Sequence, residues 1–315
     1  MKWRGPSWLG CWMALVSLAM SWVSAQAWGG EAPRAVVSIK PIHGLVAGVM
    51  QGVGEPKLLM RASASPHSYA LRPSEADMLR QAGVIFWVGE DLETFLIKPM
   101  LQLATHARLV PLSQAPGVKL LPNRRLGVAA EESPIHDGDD GHHHGTQDMH
   151  VWLSPDNAVA MVEEIRRSLS EWDPGHAQAY KVNAQRLTQR IEVFAAVAKK
   201  RLAAVSGKKF IVFHDAYHYF EDYFGLHGVS SLSVDPARPV SAKRLSEVRA
   251  SIKDFAVVCL FSEPQFEPAM VDAIVRDTQV KKGVLDPLGT DTPEGEEGWF
   301  VLMERLVTGL VGCLQ

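Results

Sequence analysis

The stretch Asp173–Gly207, DPGHAQAYKVNAQRLTQRIEVFAAVAKKRLAAVSG, decides how the rest of the chain is read. It opens on Asp-Pro, an N-cap followed by proline at the first helical position. Leu187, Ile191, Phe194, Ala198, Leu202 and Val205 then recur at intervals of four, three, four, four and three, and Arg186, Arg190, Glu192, Lys199 and Lys200 take the other faces. Gly207 ends the pattern. At 1.5 Å per residue such a helix would be roughly 50 Å long, more than a small domain is wide. A coiled coil is the alternative, but the spacing drifts from a strict heptad.

Strand-like and helix-like stretches alternate on both sides of this rod. Before it come Ala35–Ile39, a helical stretch with His43, the apolar stretch Lys57–Met60, a helix start at Pro73–Asp77 with Ser74 as N-cap, and the run Val84–Val88. Ser154-Pro155-Asp156 starts another helix, with Ala158, Val162, Ile165 and Leu169 on one face. After the rod, Phe210–Phe213, Val229–Val234, Ala256–Phe261 and Val280–Leu285 read as strands. Helical patterns fall around Ser241–Lys253, Pro268–Thr278 and Glu297–Cys313. Strands separated by helical patterns imply parallel sheets with crossover helices. The expected fold is therefore α/β, with two parallel-sheet lobes, 28–172 and 208–315, joined by one long helix over 173–207.

The first 27 residues read as an export signal. Lys2 and Arg4 precede the apolar run Leu9–Val23, and Ala25-Gln26-Ala27 fits an A-x-A cleavage pattern. Fifteen residues broken by Ser17 and Ser21 fall short of the ~20 that span a bilayer, although a signal anchor is the competing reading. Removing the signal leaves Cys259 and Cys313. In an oxidising compartment an even count without CxxC suggests one disulfide, with two separate buried thiols as the alternative. A formal charge of −3 and a pI near 6.5 argue against a nucleic-acid partner.

Metal chemistry is signalled by histidine placement. His136, His142, His143 and His144 fall in one nine-residue window within a Gly-, Asp- and Ser-rich segment, 133–149, that has little to bury and reads as a surface loop. Imidazoles and carboxylates clustered there suit divalent transition metals, zinc above all, and a solvated acidic loop with incidental histidines is the alternative. Outside the loop, His214 follows a strand directly and Asp286 follows another, while His67 and His150 lie at loop ends in the first half. Ligands of open α/β sheets sit beyond the carboxyl ends of strands. His67, His150, His214 and Asp286 could thus meet in a cleft between the lobes around a tetrahedral ion, although each taken alone is more often structural. His214-Asp215-Ala216-Tyr217-His218 nearly matches the H-E-x-x-H of zinc hydrolases, but a strand running into His214 and an Asp in place of Glu argue against it. His218, His227, His43, His106 and His176 read as surface residues rather than ligands.

Seven segments carry a family resemblance: Ser38–His43, His67–Ser74, Trp87-Val88-Gly89, His150–Pro155, Phe213–Tyr217, Ser262–Phe266 and Leu285–Thr290. With them the chain resembles the periplasmic zinc-binding receptors of high-affinity zinc uptake transporters, in the cluster A-I (cluster 9) family. The resemblance implies two lobes bridged by a rigid helix and Zn²⁺ held in the cleft by His67, His150 and His214. It also implies a His/Asp-rich loop in the first lobe and a Cys259–Cys313 disulfide. The expected function is capture of zinc in the periplasm by a monomer that delivers it to an inner-membrane ABC permease, without enzymatic activity. A manganese or iron receptor of the same family and, more remotely, a zinc hydrolase are the rivals. Two departures stand out. Pro66 occupies a position where some relatives carry a carboxylate, and Ser231 falls near a histidine that helps form a second zinc site in others. A second site here would need loop histidines with another partner such as His227.

Overall fold

The computed structural model describes residues 1–3, 34–60, 64–124, 126, 146–233, 236, 239–266, 269–276 and 278–315. Almost all of the expected export signal, and the loop histidines His136, His142, His143 and His144, lie outside them. Among the described residues no helix is long and apolar enough to cross a membrane.

Two four-stranded sheets carry the fold. The first consists of β1 (Ala35–Val37), β2 (Lys57–Leu58), β3 (Val84–Trp87) and β4 (Arg108–Pro111), in the order β2-β1-β3-β4. The second consists of β5 (Lys209–His214), β6 (His227–Ser233), β7 (Cys259–Ser262) and β8 (Lys281–Val284), in the order β6-β5-β7-β8. Every pairing is parallel, and the two sheets repeat one topology. The central strands β1, β3 and β7 are buried along their whole length, as strands covered on both faces must be. Crossovers are made by α1 (Lys40–Val49), α2 (Pro73–Gln81) and α3 (Thr94–Leu103) in the first sheet, and by α6 (His218–Phe224), α7 (Ala242–Asp254) and α8 (Ala269–Val275) in the second. Ser241 caps α7 through its Oγ, which accepts from the Arg244 backbone N.

Between the sheets run α4 (Pro155–Trp172) and α5 (Ala177–Leu202), and α9 (Glu297–Leu314) closes the chain. The long rod is present, but in three pieces: single 3-10 turns at Pro174–His176 and Ala203–Val205 flank α5. Asp173 does not cap it with its side chain. Its Oδ2 instead accepts from His176 Nδ1 and Tyr180 OH, both at 2.7 Å. A second expected cap also moves: Arg72, not Ser74, is the N-cap of α2, Pro73 takes the first helical position, and Glu75 Oε2 accepts from the Arg72 backbone N.

The lobes share one core. Val37 and Phe86 of the first sheet connect through Trp152, Leu187 and Trp299 to Val212 and Phe261 of the second without a break in apolar packing. Smaller clusters cover the outer faces, around Leu79 and Met100 on one side and Val248 and Ile274 on the other. Trp152 Nε1 donates to Pro287 O at 2.8 Å and Trp299 Nε1 to Trp152 O at 3.0 Å, so both buried indoles are satisfied across the junction. A disulfide joins Cys259, at the start of β7, to Cys313, near the end of α9, with Cα atoms 6.0 Å apart.

Candidate metal centre

Three separate elements deliver three imidazoles to one point. His67 sits in a 3-10 turn, Pro66–Ser68, whose N-cap Ser65 accepts the His67 backbone N at 3.3 Å. His150 immediately precedes the turn Val151–Leu153 and is anchored by the fully buried Trp152 beside it. His214 is the last residue of β5, at the carboxyl end of the second sheet. Ring centroids lie 5.6 Å apart for His67–His150, 5.8 Å for His67–His214 and 5.3 Å for His150–His214. One nitrogen from each falls within 4.8 Å of the others, and among the described residues this is the only such group of three metal-ligating side chains.

The tautomers are set from behind. Asp148 Oδ1 lies 2.7 Å from His150 Nδ1 and also accepts the His150 backbone N at 2.9 Å. Glu263 Oε1 lies 2.8 Å from His214 Nδ1 and accepts the His214 backbone N at 3.3 Å. Each carboxylate holds a proton on Nδ1 and leaves the Nε2 lone pair facing the cleft. The two Nε2 atoms are then 3.4 Å apart, close to the ~3.3 Å that two nitrogens adopt on a tetrahedral zinc ion. Two lone pairs at that distance repel unless a cation or a proton lies between them. Burial pushes the His214 imidazole down, but the charge and hydrogen bond of Glu263 outweigh it and hold the group above its ordinary value. Pro66, Phe266, Pro287 and Leu288 wall the space, which has a volume of about 10 Å³, room for a single small occupant.

Asp286 does not join this group. Its Oδ1 accepts from Gln265 Nε2 (2.7 Å) and from the backbone N of Leu288 and Gly289 (both 3.0 Å), and its Oδ2 from Thr290 N (2.5 Å). The carboxylate fastens the turn after β8, and Gln265, which donates to it, lines the cavity. Asp148 and Glu263, which the sequence reading assigned no role, are the acids that touch the imidazoles. The sequence offers only a carboxylate two residues before His150 and another inside the Ser262–Phe266 segment, and neither position shows that the acid is buried against a ring.

The remaining histidines divide. His218 opens α6, so it shares no helical turn with His214, and the zinc-hydrolase motif is not formed. It is half-buried, with Nδ1 4.0 Å from Asp148 Oδ2. His43, expected at the surface, is only 3 % exposed, its Nε2 3.1 Å from Pro56 O. His106 and His227 are exposed, and Ser231 is buried in β6.

The family model described as ZnuA, zinc-uptake complex component A, periplasmic, matches residues 35–313. The high-affinity zinc uptake system protein ZnuA of Brucella abortus is 37 % identical over 311 residues, covering 90 % of this chain and 92 % of that protein. Its namesake from Yersinia pestis is 34 % identical over 313 residues, covering 96 % and 98 %. A crystal structure of ZnuA superposes with a TM-score of 0.76 at 21 % identity over 90 % of this chain and 100 % of that one, a match in fold. With three imidazoles converging between two parallel-sheet lobes, and a family model spanning nearly all described residues, this chain belongs to the ZnuA family of zinc-uptake components.

Proposed function

We propose that the protein is a periplasmic receptor that captures Zn²⁺ with His67, His150 and His214 and surrenders it to an inner-membrane ABC permease. The supporting observation is the pair of buried carboxylates that turn two Nε2 lone pairs toward each other at 3.4 Å. That arrangement is built for a cation that accepts nitrogen donors. Manganese and iron receptors would call for more oxygen, so an imidazole set favours zinc. In this reading 28–172 and 208–315 are the receptor lobes and 173–207 the link. The loop histidines His136, His142, His143 and His144 hold a weaker second equivalent, because ordering a Gly- and Asp-rich segment around an ion costs backbone entropy. In this reading the chain acts as a monomer and carries no catalytic activity.

Metal analysis of the untagged protein tests this reading. One tightly held zinc per chain is expected, lost in His150→Ala and His214→Ala and retained when residues 134–146 are deleted. Stoichiometric manganese instead of zinc, or tight zinc surviving both histidine substitutions, would overturn it. Peptidase or esterase turnover by the zinc-loaded protein would favour the hydrolase.

A further inference from the structure

After Lys119 the chain leaves α4, where Asn157 holds Lys119 by both its backbone N and O, and crosses to the second lobe. It is fastened there at three successive points. Leu121 N donates to Tyr219 OH at 2.9 Å, Arg124 reaches Asp215 and Glu221, and Leu126 O accepts from Arg244 Nη2 at 2.8 Å. The returning segment is held to the same strip. Asp148 N donates to Leu121 O at 2.8 Å, and Asp148 O accepts from Tyr219 OH at 2.6 Å. The strip that bears Arg124 therefore also carries Asp148, the carboxylate behind His150.

Arg124 makes the strongest of these contacts. Its Nε lies 3.0 and 2.9 Å from the two Asp215 oxygens, its Nη2 2.8 Å from Asp215 Oδ1 and 2.7 Å from Glu221 Oε1. Glu221 is 2 % exposed, and its other oxygen accepts Gly228 N at 2.9 Å, so the guanidinium is the counter-charge of a buried acid as well. Asp215 directly follows His214. One planar side chain thus ties the turn bearing one ligand to the strip bearing the orienting acid of another. Bidentate charge-assisted bonds of this kind fix geometry as well as distance.

We propose that Arg124 is a positioning residue of the metal centre: by clasping Asp215 and Glu221 it holds His214 and His150 in register and sets how long a bound cation stays. The inference rests on the reading of the three histidines as a cation site. Charge and clasp act with opposite signs. A guanidinium beside the His214 turn repels a dication, so by charge alone its removal would slow release. Loss of the clasp frees the two ligand-bearing segments and speeds it. The direction of the effect therefore separates the two roles. Lysine keeps the charge and loses the planar fork.

The full chain loaded with one equivalent of Zn²⁺ is mixed with excess EDTA, and release is followed by stopped flow. Arg124→Gln and Arg124→Lys are both expected to release zinc about tenfold faster than the parent, in the range seen for residues that orient metal ligands. Asp215→Asn should do the same, and the Arg124→Gln/Asp215→Asn pair should be no faster than either single change, because the two act as one unit. Met100→Ala, in the outer cluster of the first lobe, serves as a variant destabilised elsewhere and should release at the parental rate. Unchanged or slower release in Arg124→Gln, parental release in Arg124→Lys, or Met100→Ala as fast as Arg124→Gln would each overturn the clasp. If Arg124→Gln fails to fold, Arg124→Lys, which keeps the charge and loses the fork, carries the comparison alone. A parent chain that holds no zinc overturns this inference and the reading of the centre together. A parent that holds zinc beside variants that behave like it overturns the clasp alone.

Discussion

Asp148 and Glu263 each sit on Nδ1 of a cavity histidine, so in the proposed receptor their loss should be felt at the metal although neither belongs to the three-imidazole group. Removing an orienting carboxylate typically costs a factor of roughly 10–100 in metal affinity. We expect Asp148→Ala and Glu263→Ala to weaken zinc binding by about that much in a chelator-competition titration. Asp286→Ala should cost less, because its oxygens serve the 286–290 turn. A larger loss in Asp286→Ala than in Glu263→Ala would return Asp286 to the coordination sphere. The same carboxylates fix the pH response. His214 is held above its ordinary value, so in the metal-free protein it is protonated to a higher pH than a free imidazole. The stability this contributes is fully present below the unfolded value of ~6.5 and is lost as pH rises through the folded value. Zinc binding runs the opposite way, since it needs the neutral ring. The rise in Tm on adding zinc should therefore shrink on acidification, beginning above pH ~6.5, and a zinc-induced rise unchanged from pH 8 to pH 6 would contradict this. The convergence of His67, His150 and His214 was legible from sequence because they sit at strand and loop ends. Asp148 and Glu263 were not, because an orienting acid is defined by burial and reach rather than by spacing. Asp286 shared the strand-end placement, but that placement does not reveal that three backbone N–H groups already claim it.

Helix α1 owes its close approach to α9 to a missing side chain. A Cβ built on Gly44 would lie 2.7 Å from the backbone N of Trp299, and backbone cannot rotate away as a side chain can. Gly44→Ala should destabilise the fold by about 1–3 kcal/mol, the usual range for overpacking. At roughly 2–4 °C per kcal/mol this is a fall in Tm of several degrees, and an unchanged melting curve would show that the helices part freely. The disulfide works at the far end of the same helix. Closing a loop of 54 positions should stabilise by ~4 kcal/mol in the chain-entropy model, so Cys259→Ser should melt well below the parent. Elements with strong apolar runs or clear caps were readable: β1, β3, β5, the helix opened by Ser154-Pro155, and the long rod. The edge strands of the first sheet were harder, whereas β6 and β8 at the edges of the second were readable. Lys57–Leu58 is only two residues long and Arg108–Pro111 buries only Val110 well, so they are strands by virtue of their pairing partners and not of their own pattern. The two 3-10 ends of the rod follow the same logic, since the tighter winding leaves apolar periodicity almost unchanged.

At the scale of the whole molecule, the decisive feature is that the lobes do not have separate interiors. Receptors that close like a hinge need a thin connection, whereas here α1, α4, α5 and α9 carry one apolar core from the first sheet to the second, with Trp152 and Trp299 buried at its centre. Around that core the lobes are tied again by Lys40 Nζ to Thr290 O at 2.9 Å and by the Arg124 clasp, and Arg186 ties the linking helix to Glu296 at 2.7 Å. Large hinge rotation would have to expose these tryptophans, and truncating a buried Trp typically costs about 3–5 kcal/mol. We therefore expect the metal-free protein to unfold in a single cooperative calorimetric transition despite its two sheets. Zinc should raise that transition by mass action without splitting it. Small-angle scattering with and without zinc should give nearly superposable curves. Two resolved melting transitions, or a marked contraction on adding zinc, would mean that the shared core yields. Zinc release would then proceed by hinge opening rather than by local loosening of the three ligand-bearing segments.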